Sequence, residues 1–391
     1  MPKKAAKKVA ADLLANRLAS AAPSGLTLAS AEASGIVHWA VRRAERPKTC
    51  DNLGEDRCFD MTLRAVGEDG EDVESGLVAV LDGHGGSDVA DFVASILPRL
   101  LLALLASGQD LHGAASEATL KLDAFFEQRQ EEFKAGTCLN YTILAGTWLC
   151  CVNVGDCRSC FVDIEDMTLT WLSRDHQAKE LTERRRIESL GGQVSEGCIL
   201  VDGIGLEPSR TLGDWDLKKK LPPDVISAKP ELRALDLREH VSDKGAGGSL
   251  DTSIRGVLIT ASDGLWRHLA DDRGVESVDA LLECVKAAQR PLRQLSHKGS
   301  GDAKVMSEVA DSLAKELLAM TDCTDDVAIQ VAILEATWSA DAPQTPIEPA
   351  AAAERWGLLE ASVVPPTCSM TEAPTRIDFQ AEEADLDPSS G

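Results

Sequence analysis

Apolar runs of strand length recur at Leu77 to Leu81, Tyr141 to Leu144, Trp148 to Val154, Leu169 to Leu172, Val257 to Ala261 and Val327 to Leu334. Each is bounded by Gly, Asp or Asn, or lies close to one, as strands often do. Helical spacing of apolar residues appears between them. The first such stretch runs from Ser87 to Leu105, with Ser87 in the N-cap position and Pro98 predicting a kink or a split. Others cover Ala114 to Phe133, Leu181 to Leu190 (stopped by Gly191-Gly192) and Val305 to Met320. The order is strand, two helices, a long run of strands, a short helix, more strands, a helix and a final strand. That order disfavours a doubly wound parallel sheet. It predicts an α+β fold in which sheets carry helices on their outer faces.

The first run ends in Asp82-Gly83-His84-Gly85-Gly86. A strand that closes on a carboxylate, a bare backbone and an imidazole can hold a hard cation beside a proton donor. Glu55-Asp56, Asp263-Gly264 and Asp325-Asp326 supply three more acidic stations at the edges of apolar runs. Singly, each reads as a turn. Converging at one end of a sheet, they repel one another unless cations neutralise them. Oxygen-only donors, without a His cluster or paired thiolates, point to Mg2+ or Mn2+ rather than zinc.

Lys+Arg of 40 against Asp+Glu of 64 leaves a net charge of -24, a field that repels nucleic acid and anionic membranes and attracts cations. A nucleic-acid binder is excluded on that ground. The 44% hydrophobic content supports a sizeable core, filled mainly by aliphatic residues because aromatics are only 4%. The 11 cysteines show no framework spacing and no signal-peptide apolar region precedes them, which predicts a reducing compartment and mostly buried thiols. Cys157 and Cys160 form a CxxC, but positions three apart in a strand face opposite sides, against a shared zinc. No apolar run reaches the roughly 20 residues that span a bilayer. Nothing in the sequence requires a partner chain, so a monomer is expected.

Residues 1–33 read as a basic, Ala/Lys-rich extension, 34–335 as the body, and 336–391 as an acidic Pro/Ala-rich disordered tail. The extension reads as a solvated helical or disordered arm, with a transit peptide or nuclear-import patch as the other readings. Glu68 to Asp72 reads as a charged hairpin turn, and Ser242 to Thr252 as a surface loop. Arg184-Arg185-Arg186 is read as a solvated helix face in preference to a docking patch. Arg376-Ile377-Asp378-Phe379 resembles a short docking motif of a kind that arises easily by chance.

Taken together, these motifs resemble those of the metal-dependent Ser/Thr protein phosphatases of the protein phosphatase 2C family. The resemblance covers roughly residues 50–335, in family order. Gly54-Glu55-Asp56-Arg57 resembles N-E-D-R, and Val80 to Gly86 resembles V-x-D-G-H-G-G. Ala135-Gly136-Thr137 stands where a small strand opening is usual. Val152 to Arg158 resembles A-N-V-G-D-S-R, and Asp175-His176 with Glu183 to Ile187 and Gly191-Gly192 follows D-H…E-x-x-R-I…G-G. Ser209 to Asp214 resembles S-R-x-L-G-D, Ala261 to Trp266 resembles A-S-D-G-L-W, and Asp325-Asp326-Val327 resembles the closing D-N/D-x.

The resemblance implies two packed antiparallel β-sheets flanked by α-helices, with metals at one edge. It also implies roles. Asp82 bridges two ions; Asp263 and Asp325 complete one, Glu55 and the Gly83 carbonyl the other. A water shared by the ions attacks phosphorus, and His84 protonates the departing serine or threonine oxygen of a phosphoprotein substrate. Asp156, Asp56 and Asp326 are third-metal or supporting carboxylates.

Three departures stand out. No arginine lies between Arg46 and Asp51, so the phosphate-gripping arginine expected a few residues before Glu55 falls to Arg46 only if a short insertion loops out. Arg267 replaces the aspartate of D-G-x-W-D, which is expected to weaken a third metal site and to pair with Asp156. Asp326 replaces the common asparagine. These changes leave two alternatives beside an active protein phosphatase: a pseudophosphatase that uses the fold as a binding module, and a phosphatase of small molecules.

Overall fold

The computed structural model describes residues 17–18, 20–21, 36–48, 54–66, 72–240, 251–269, 278–294, 302–322, 324–339 and 362–363. Alternation along the strand Asp72–His84 sets the layer order. Leu77, Ala79 and Leu81 pack with Val93, Leu97, Leu122 and Phe126 of the helices Asp88–Ala106 and Leu111–Gln128. Val78 belongs instead to a core shared with Phe161, Leu258 and Ala332 of a facing sheet. Successive strand side chains point to opposite faces, so one strand serves both cores. Beyond the facing sheet, Val257, Ile259, Ile329 and Val331 pack on the helices Val278–Arg293 and Asp302–Ala319 through Leu281, Val285, Leu313 and Leu317. The layers run helices, sheet, sheet, helices, an α+β sandwich.

The first sheet places Arg57–Val66, Asp72–His84, Gly136–Ala145, Trp148–Val154 and Glu231–Asp236 side by side, with Leu212–Gly213 against Gly136–Ala145. The second orders Thr168–Trp171, Arg158–Asp163, Asp251–Ala261, Val327–Ser339 and Ile36–Arg46. These pairings are all antiparallel. A small satellite of Val194–Ser195, Cys198–Val201 and Ile204–Leu206 sits with the helix Leu181–Ser189 around Ile187, Ile199 and Val225.

Some local expectations fail for identifiable reasons. The helix Asp88–Ala106 runs through Pro98 without a split. A proline there costs about 3 kcal/mol, but burying Val93, Leu97 and Leu101 at roughly 1.5–3 kcal/mol each outweighs it. Ser87 has helical dihedrals and gives its hydroxyl to Asp91, so it does not cap through its side chain. Asp110 does cap the next helix, accepting from the Gly113 N–H at 2.6 Å. Ile36–Arg46 and Arg57–Val66 are strands that charged residues conceal in the sequence. The closing strand continues to Ser339, past the boundary expected at 335.

Within the N-terminal extension, Arg17–Leu18 and Ser20–Ala21 add short edge strands where a helical or disordered arm was expected. In the tail, Ser362–Val363 pairs beside Met61–Thr62. The remainder of both segments, residues 68–71 of the acidic turn, residues 242–250 of the expected loop and the motif at 376–379 lie outside the described residues, while Asp72, Asp251 and Thr252 belong to strands. Among the described residues, no helix is long and apolar enough to cross a membrane.

Candidate metal centre

Carboxylates arrive at one edge of the sandwich because strand ends and a crossover meet there. Asp82 follows Val78 and Val80 on the face of its strand that looks between the sheets. Asp156 lies in the turn joining Trp148–Val154 of the first sheet to Arg158–Asp163 of the second. Asp263 follows the strand Asp251–Ala261, and Ser262 pins that point by two 3.0 Å hydrogen bonds with the Ala328 backbone. Asp325 and Asp326 immediately precede the strand Val327–Ser339.

Carboxylate oxygens of Asp82, Asp156 and Asp263 lie within 4.8 Å of one another. Desolvation, reinforced by the charges of Asp56, Asp263 and Asp156, pushes the Asp82 carboxyl well above its ordinary range. Burial and the negative charge of Asp156 raise Asp263 to about 7 against the opposing pull of Arg267. Asp56 is raised in the same way, and its Oδ2 is buried without a hydrogen-bond partner. Crowded, desolvated carboxylates with an orphaned oxygen suit a bound positive charge, and an all-oxygen donor set suits Mg2+ or Mn2+.

Glu55 joins the cluster through backbone contacts. Its N–H donates to Asp326 Oδ2 at 2.6 Å, and a second Asp326 oxygen accepts from the Lys48 N–H. Gly83 lies against it so closely that a Cβ there would stand 2.5 Å from the Glu55 carbonyl oxygen. Asp326 therefore acts here as a clamp on the Glu55 loop.

The carboxylates face a cleft of about 480 Å³. Its lining includes Glu55, Asp82, Gly83, His84, Lys134, Asp156, Glu207, Asp214, Asp216, Asp263, Arg267 and Asp325. Asp56 and Asp326 are not part of this lining. Arg46 is absent from it as well. Its guanidinium donates to Thr321 Oγ1 and to the Asp322 carbonyl, just past the C-terminal end of the helix Asp302–Ala319. The carbonyl-rich helix end has captured the cation expected to meet phosphate.

His84 Nε2 is 2.9 Å from Asp214 Oδ2. Burial opposes charge on the imidazole, but the Asp214 charge and hydrogen bond, with Asp156 and Glu55, outweigh it and raise the His84 pKa. Asp214 shifts the opposite way: burial favours its neutral form, yet His84 and Lys218 hold it below the ordinary carboxylate range. Both shifts favour the imidazolium and carboxylate forms of the pair. Asp214 sits within the S-R-x-L-G-D stretch, which gave no hint of contact with His84. Lys134 carries no motif signal beyond standing next to Ala135.

Arg267 does not pair with Asp156. It contacts Asp263, Asp325 Oδ2 at 3.0 Å and Glu207 Oε2 at 3.2 Å. Asp156 instead accepts from the Cys138 thiol at 3.1 Å and from Gln177 Nε2 at 2.9 Å. A second cavity, of about 520 Å³, is lined by Arg158, Arg210, Asp175 and Glu183 among others. Its Arg158–Asp175 and Arg210–Glu183 pairs neutralise each other, unlike the crowded carboxylates of the first.

Comparison with known proteins agrees with this geometry. The family model described as "Protein phosphatase 2C" matches residues 54–304. "Probable protein phosphatase 2C 59" of Oryza sativa subsp. japonica is 34% identical over 242 residues, covering 61% of this chain and 67% of that protein. "Protein phosphatase 1L" of Bos taurus is 31% identical over 241 residues, covering 58% and 61%. The fold is shared with a phosphatase structure from Toxoplasma gondii at a TM-score of 0.54 and 18% identity, over 80% of this chain and 96% of that one. With more than half of its length matched by the family model and the carboxylates gathered at one sheet edge, the chain belongs to the protein phosphatase 2C family of protein serine/threonine phosphatases.

Proposed function

We propose that this chain hydrolyses phosphoserine and phosphothreonine on proteins at the acidic cleft, using two Mg2+ or Mn2+ ions. The observation that carries the reading is the Asp82, Asp156 and Asp263 cluster standing in one cleft with the His84–Asp214 pair. Asp82 would hold both ions, Asp263 and Asp325 one of them, and Glu55 with the Gly83 carbonyl the other. Bound there, the ions supply an activated water and neutralise charge on the phosphoryl oxygens.

The chain's own residues do the rest. His84, whose protonated form Asp214 favours, donates its proton to the departing serine or threonine oxygen, a poor leaving group without it. Asp326 fixes the Glu55 loop from behind. Asp156, held by Cys138 and Gln177, and Asp56 add negative charge around the ion positions. Arg267, which contacts Asp263 and Asp325, puts a positive charge beside the ion positions that opposes a third cation, so we assign two ions and a weakened third site.

The same contact motivates the rival reading. An internal guanidinium on two ligand carboxylates is also what a pseudophosphatase would keep. Release of inorganic phosphate from a phosphothreonine peptide in Mg2+ or Mn2+, abolished by chelator, supports the enzyme. A folded protein that binds the ions yet releases no phosphate establishes the binding module. Faster turnover of small phosphate esters than of every phosphopeptide tried moves the substrate class away from proteins.

A further inference from the structure

Among the described residues, the only Lys or Arg side chains lining the cleft are Arg267 and Lys134. The two ions proposed above would offset the carboxylates that wall the cleft, and a side chain donating hydrogen bonds to the phosphoryl oxygens would hold the dianion in place beside them. We propose that Arg267 is the phosphate-gripping residue of this chain, binding the phosphoryl oxygens of substrate and product once its hold on Asp263 and Asp325 is relaxed. This rests on the two-ion hydrolase reading above and adds to it the residue that sets affinity for the phosphoryl group.

The geometry supports the assignment. One guanidinium spans Asp263 and Asp325 at the strand ends and Glu207 next to the satellite sheet, so its planar fork is presented across the cleft. The backbone beneath it is anchored by the buried Trp266 and Leu269, while the side chain is 50% exposed. When cations neutralise Asp263 and Asp325, those carboxylates lose most of their attraction for the guanidinium. Phosphoryl oxygens offer it the same bidentate, charge-assisted hydrogen bonds. Glu207 remains as a tether at the cleft wall. Arg46 is tied to the end of the helix Asp302–Ala319, and Lys134 offers a point charge without the fork.

The test uses the full-length chain with Arg267→Ala, Arg267→Lys and Lys134→Ala variants. Calorimetry measures inorganic phosphate binding at saturating Mg2+, and Mg2+ binding is titrated separately. Steady-state kinetics on a phosphothreonine peptide give KM and kcat. In Arg267→Ala, phosphate affinity should fall and KM rise roughly ten- to hundred-fold, the scale of a lost hydrogen bond to a charged group. Mg2+ affinity should be unchanged or tighter, and Arg267→Lys should recover part of the loss. Phosphate affinity and KM that stay at wild-type values in Arg267→Ala would overturn the proposal. So would a loss confined to Lys134→Ala. Should the wild type turn over no peptide, the hydrolase reading fails but the calorimetry still decides this point. Saturable phosphate binding lost in Arg267→Ala supports it; binding that persists, or is absent from the wild type, refutes it.

Discussion

His84 and Asp214, 130 residues apart in sequence, meet at 2.9 Å because the short strand Leu212–Gly213 pairs with Gly136 and Thr137 beside the end of the Asp72–His84 strand. The Asp214 carboxylate packs onto Gly136, where a Cβ would lie 2.2 Å from its Oδ2. A bare position is thus required for the partner of the proposed proton donor to reach its place.

Replacing Asp214 with Asn should lower kcat on a phosphothreonine peptide by about 10²–10⁴-fold, the usual worth of general acid catalysis. The loss should be far smaller on 4-nitrophenyl phosphate, whose leaving group needs no proton. Equal losses on both substrates would assign the pair a structural role.

Gly136→Ala should imitate that defect without touching a ligand. Its Cβ displaces the Asp214 carboxylate, so peptide turnover should fall while the calorimetric Mn2+ affinity stays at the wild-type value. A parallel loss of Mn2+ binding would mean that the strand end as a whole has moved.

Asp326 tests the clamp behind the metal centre. Removing it with Asp326→Ala frees the Glu55 and Lys48 N–H groups, and groups that orient ligands are commonly worth 10–100-fold in metal affinity. A Mn2+ titration should show a loss on about that scale. Unchanged affinity would exclude Glu55 from the ligand set.

Away from the cleft, Glu183 tests the acid stability of the satellite. Burial favours its neutral form, but Arg210, Arg186 and the Ser209 hydroxyl outweigh that and hold its pKa below the usual carboxylate value of 4.5. A depressed folded pKa gives stability that is complete above the unfolded value and is lost as pH falls below it. Glu183→Gln should cost about 3–5 kcal/mol at pH 7, since it leaves Arg210 without its buried counter-charge. Thermal melts against pH should show the gap between variant and wild type closing below about pH 4.5. A gap that is constant down to pH 3 would contradict this.

The sequence made the strand-end acids readable because each follows or precedes an apolar run, where alternation and chain direction constrain placement. Asp82, Asp263 and Asp325 needed little more than that. The helices on the outer faces were readable for a similar reason, although Val278–Arg293 went unread even with Val278, Leu281, Val285, Ala288 and Leu292 at helical spacing. Contacts that depend on register or on tertiary capture were not readable. The Asp214 partnership needs the pairing of Leu212–Gly213, Arg46 is drawn off by a helix end, and the choice of Asp263 and Asp325 over Asp156 by Arg267 depends on which carboxylates already have donors.

The most direct measurement compares wild type with Asp82→Asn in two readouts, phosphate release from a phosphothreonine peptide and calorimetric Mn2+ stoichiometry. The account predicts chelator-sensitive turnover and two bound ions in the wild type, and loss of turnover with weakened binding at both positions in Asp82→Asn. An Asp82→Asn protein that is folded, binds two ions as the wild type does and still releases phosphate would contradict it.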